Sequence, residues 1–74
     1  MRFKIYPQDH EPRHAHGLIG DGSVIVELKD DGSVCLANRP DAIRNAKRQE
    51  IRLVLEEALE LHGELVHAWE MMHR

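Results

Sequence analysis

The sequence predicts an α+β domain: a small antiparallel sheet of about four strands, packed by one long C-terminal helix. Three observations carry this expectation. Residues 1–37 contain short alternating apolar runs separated by Gly, Asp and Pro, the pattern of strands and tight turns. Residues 45–73 repeat apolar side chains at three- and four-residue steps, the period of a helix with one buried face. The chain has 74 residues, which suffice for one domain, 1–74, and leave no room for a second.

Arg2 to Tyr6 alternates, with Phe3 and Ile5 on one side, and Pro7 ends the strand because it cannot donate to a ladder. Residues 9–16 read as a histidine-rich loop, in which Pro12 favours an extended Glu11. From His14 the chain can run extended to Ile19 before the Gly20-Asp21-Gly22 turn. Ser23 to Lys29 is the clearest strand, with Val24, Val26 and Leu28 on one face. Asp31-Gly32 predicts a two-residue hairpin leading into a last strand, Ser33 to Ala37. Residues 38–44 read as a turn. The helix then carries Ile51, Val54, Ala58, Leu61, Leu65, Ala68 and Met72 along one stripe, with Asn45 as its predicted N-cap. Gly63 lies inside that stripe without changing its phase and marks a place for a bend. A single stripe covers one face of the sheet and leaves the other to water or a partner.

Composition narrows the function. Cys35 is the only cysteine, so no disulfide forms within the chain; with no signal peptide evident, a reducing, cytoplasmic setting is expected. No apolar run is long enough to span a membrane. A net charge of −3 argues against broad nucleic-acid binding. Charge is nevertheless segregated. Arg39, Arg44, Lys47, Arg48 and Arg52 cluster before the glutamates Glu56, Glu57, Glu60, Glu64 and Glu70, the reverse of what a helix dipole prefers. These are solvated side chains or a basic patch for an acidic partner. A chain this short buries a modest share of its surface, so a homodimer or a protein partner is a natural source of further burial.

The stretch Asp9-His10-Glu11-Pro12-Arg13-His14-Ala15-His16 holds three of the six histidines. On an extended segment His14 and His16 project from the same face. His10 can fold back towards them across the Pro12 corner. Three imidazoles with an open position make a candidate site for Zn²⁺ or another divalent transition metal: His10, His14 and His16 as ligands, and Asp9 orienting a ring. Without a metal, His10, Arg13, His14 and His16 form a cationic, proton-exchanging group suited to phosphate, RNA or carboxylate. A third reading makes the same side chains a hydrogen-bonded corner with a purely structural role. Of the other histidines, His62 falls near the apolar stripe, while His67 and His73 read as surface residues and Trp69 as a core anchor.

With these residues in view, the chain resembles a small bacterial family, domain of unknown function 4160. Its members carry Asp-His-x-Pro-Pro-His-x-His after a first strand and end in a helix bearing Glu-Leu-x-x-x-Trp. Here the two motifs stand as Asp9 to His16 and as Glu64-Leu65-Val66-His67-Ala68-Trp69. Arg13 replaces the second proline, and Ala15 an aromatic. Genes of that family commonly neighbour those of domain of unknown function 2442, in pairs grouped with toxin–antitoxin modules. The resemblance therefore implies a small cytoplasmic interaction protein of a two-gene bacterial module; the histidine corner, with Asp9, His10, Arg13, His14 and His16, and the open sheet face are the expected recognition surface. The alternative is a small metal-dependent or acid–base phosphodiesterase using His10, His14 and His16.

Overall fold

A computed structural model describes residues 1–74. The chain folds in the order β1 (Arg2–Lys4), β2 (His14–Ile19), β3 (Gly22–Leu28), β4 (Val34–Leu36), β5 (Ile43–Arg44), α1 (Arg48–Glu60) and α2 (His62–Met72). All pairings are antiparallel, in the order β1-β2-β3-β4, and β5 also pairs with β3. The α+β class and the sheet-then-helix order are as expected.

Alternation builds the core. Val24, Val26 and Leu28 leave one face of β3, and the register sets Gly17 opposite Val24 and Ala15 opposite Val26. Val54 and Ala58 of α1 and Leu65 and Trp69 of α2 complete this buried cluster with Ile5. Gly17 is required by the closeness of α1. A Cβ placed there would stand 2.5 Å from Val54 Cγ1, well inside the about 3.5–4.0 Å at which two carbons pack.

Several elements differ from expectation. The single long helix is two helices, broken at Leu61, whose φ of −96° and ψ of 12° leave the α-helical region. The break precedes Gly63, which lies within α2. The periodicity conceals it because Val54 to Leu65 spans eleven residues, about three helical turns, so the stripe keeps its phase. The helix begins at Arg48 rather than near Asn45, which takes a positive φ of 51° that a helix does not admit. Glu50 accepts a hydrogen bond from the Lys47 N–H at 2.8 Å and closes the first turn. The 38–44 turn ends in a short strand, since Ile43 and Arg44 pair with Val24 and Ser23. The hairpin after β3 uses three residues. Lys29 N–H donates to Ser33 O across it, and Gly32 alone among its residues takes positive φ, 91°.

The sheet face away from α1 is also less open than expected. Between β4 and β5 the chain stays bonded to Ile25: its N–H donates to Ala42 O at 2.8 Å, and its C=O accepts from Ala37 N–H at 2.9 Å. Ile25 and Ala42 are both buried. No helix of the chain is long and apolar enough to cross a membrane.

Candidate metal centre

The loop between β1 and β2 is folded by its own backbone before the histidines contribute. Tyr6 N–H donates to Asp9 Oδ2, and Asp9 N–H donates back to Tyr6 O, each at 3.0 Å. This closed turn points the Asp9 carboxylate back at β2. The chain passes a cis Glu11–Pro12 bond and enters β2 at His14. Strand alternation then sends the His14 and His16 rings to the same face, with centroids 5.2 Å apart.

Asp9 meets both rings. Its Oδ2 lies 3.3 Å from His16 Nε2, and its Oδ1 lies 3.6 Å from His14 Nε2. Ligand atoms of Asp9, His14 and His16 all fall within 4.8 Å of one another. A tetrahedral ion with ~2.1 Å bonds separates neighbouring ligand atoms by about 3.4 Å, a spacing that the two Asp9 oxygens approach, each towards one ring.

His14 carries the most informative contact. It is 4% exposed, packed at 5.3 Å between centroids against Trp69. Its Nδ1 lies 2.9 Å from Pro12 O, and because a carbonyl can only accept, Nδ1 is the nitrogen that carries hydrogen. In the neutral ring that leaves a lone pair on Nε2. This nitrogen is buried and has no hydrogen-bond partner. Metal-bound histidines show the same division of labour, one nitrogen donating to a carbonyl and the other facing the ion.

The electrostatics favour the ligand forms at the other two positions. Burial pushes the His16 pKa below its ordinary value; Asp9 opposes the shift and His14 adds to it. Burial would raise the Asp9 pKa, but the Tyr6 N–H and the two neighbouring histidines outweigh it and hold the carboxyl below the usual range. Neutral His16 and ionised Asp9 are the forms that bind a cation.

The structure distributes the other expected site residues elsewhere. His10 is exposed and does not join the group that could hold an ion, whose third member is Asp9 instead. It lines a cavity of about 380 Å³ with Asp9, His14, Glu27, Asn38 and Arg39. Arg13 turns away along the sheet end and bonds Asp30 at 2.9 Å. His73, expected at the surface, is half-buried, stacks on Trp69 at 3.8 Å and reaches Asp9 O at 2.9 Å through Nε2. The Asp9 turn is thereby tied to the end of α2, 64 residues away in sequence. No sequence spacing signals that contact. His62 is half-buried, with Nε2 2.7 Å from Lys29 O, and His67 is exposed. The five basic residues from Arg39 to Arg52 are all exposed, and Arg39 pairs with Asp41.

Compared with protein-family models, with curated proteins and with solved structures, the chain matches none.

Proposed function

We propose that the protein binds one divalent transition-metal ion through Asp9, His14 and His16. The observation that carries the reading is the buried, unpartnered His14 Nε2 beside Asp9 and His16. A hydrogen-bonded corner accounts for the His14–Pro12 and His16–Asp9 contacts, yet leaves His14 Nε2, 3.6 Å from Asp9 Oδ1, without a hydrogen bond, and a buried polar atom left so costs about 1–3 kcal/mol. An ion among the three ligands removes that cost.

The test is a zinc titration of metal-free protein by calorimetry. One site is expected, lost in Asp9→Asn and His16→Gln and retained in His10→Ala. Binding no stronger than that of Asp9→Asn retires the site. Loss in His10→Ala with retention in Asp9→Asn assigns it instead to the three histidines.

An ion held here supplies Lewis-acid polarisation to a ligand in the adjoining cavity, where His10 and Arg39 stand. A phosphodiesterase would use that chemistry. Hydrolysis of a model phosphodiester that disappears in Asp9→Asn, with the fold intact, is its signature.

A second reading concerns interaction: a cytoplasmic component of a two-gene, toxin–antitoxin-like bacterial module with a protein partner. The family resemblance supports it. So does an all-apolar groove between β1 and α2, walled in part by the half-exposed Met71 and Met72.

A further inference from the structure

We infer that the free edge of β1, with the groove beside it, accepts an extended segment of a partner protein whose residues alternate acidic and apolar. This inference rests on the interaction reading and is independent of the metal site.

β1 is the terminal strand of the sheet and pairs on one side only, with β2. Its outer edge therefore presents unpaired N–H and C=O groups, a template for one more strand. Beside that edge lies a groove of about 350 Å³ lined by Phe3, Ile5, Leu65, Ala68, Met71 and Met72, every one apolar. Met71 is 50% and Met72 47% exposed at the last turn of α2. Methionine side chains adapt to the shape of what they cover, which suits a binding wall better than a finished core.

Charge selects the occupant. Arg2 and Lys4 alternate with Phe3 and Ile5 along the edge, are exposed, and form no salt bridge within the chain. A second copy pairing antiparallel through this edge would set Arg2 against Lys4, like charges directly opposite, which destabilises a ladder. An amphipathic helix would fill the groove but leave the β1 backbone groups unpaired. An extended segment satisfies both features. Its main chain pairs with Arg2–Lys4, its apolar side chains enter the groove, and its carboxylates meet Arg2 and Lys4.

The probe is a labelled seven-residue peptide alternating glutamate and valine, compared with its lysine–valine counterpart and with an apolar-faced helical peptide. Binding is read by anisotropy, and its location by amide NMR shifts at residues 2–4. The glutamate peptide is expected to bind at least tenfold more tightly than the lysine peptide. Arg2→Glu with Lys4→Glu should reverse that order, and Met72→Glu should weaken both peptides. These positions are exposed, so the variants keep the fold. Equal binding of the two strand peptides overturns the inference, as does a dimer in sedimentation that Met72→Glu dissociates. If the helical peptide alone binds, the strand geometry is wrong and the interaction reading stands. If no peptide binds and the chain is monomeric, both fall.

Discussion

The closeness of α1 to the sheet can be tested through Gly17. Replacing it with alanine puts a methyl group 2.5 Å from Val54 Cγ1 and 3.1 Å from Phe3 Cε1. Val54 is fully buried and β-branched, so its rotation is restricted within the helix. About 1 Å of separation must be opened by shifting α1 or forcing Val54 off its rotamer, and overpacking of this kind costs about 1–3 kcal/mol. A domain of this length has a total stability of about 4–11 kcal/mol. Gly17→Ala should therefore lower Tm by roughly 5–20 °C. The decisive measurement is a double-mutant cycle by urea unfolding. Val54→Ala alone removes two buried methyl groups and costs about 1.5–3 kcal/mol. In the double variant the new methyl occupies the space just vacated, so the combined loss should fall short of the sum by about 1 kcal/mol or more. Additivity within about 0.5 kcal/mol would show that the two positions do not compete for space and would refute the packing argument.

Two further predictions concern the site and the helix break. In metal-free protein His16 is depressed below 6.5 and Asp9 below 3.8, so at both groups the unfolded chain binds more protons than the folded one. Stability should decline as pH falls below about 6.5 towards the folded His16 value, and again below about 4 as Asp9 titrates. Thermal scans from pH 7.5 to 5 check the upper window: His16→Gln should flatten it, and a Tm that rises on acidification would contradict the reasoning. Gly63→Ala meets no atom within 4 Å inside α2 and should stabilise the protein by about 0.5–1 kcal/mol. No gain in Tm would mean that the turn at Leu61 needs the glycine.

Much of the scaffold was legible because its signals are local. β2 runs from His14 to Ile19, the stretch expected to be extended, and the period of two places His14 and His16 on one face whatever lies around them. The stripe likewise names Val54, Ala58 and Leu65 as buried, although Ala68 and Met72 further along it are exposed; and because an eleven-residue step preserves the phase across a break, one helix and two read alike. The short β5 has too few residues to carry a pattern. It exists because β3 offers an unpaired stretch beyond β4.

The sequence alone determined the residue types at the site and the shared face of two histidines, since both follow from chain chemistry and strand geometry. Only the tertiary structure decided which side chain lies against them. The loop is held by Tyr6 at its near end and by His73 from the end of α2, and these contacts turn Asp9 inward while His10 stays in solvent. The path of a loop depends on what its backbone bonds to at long range, and no periodicity within the loop records those partners.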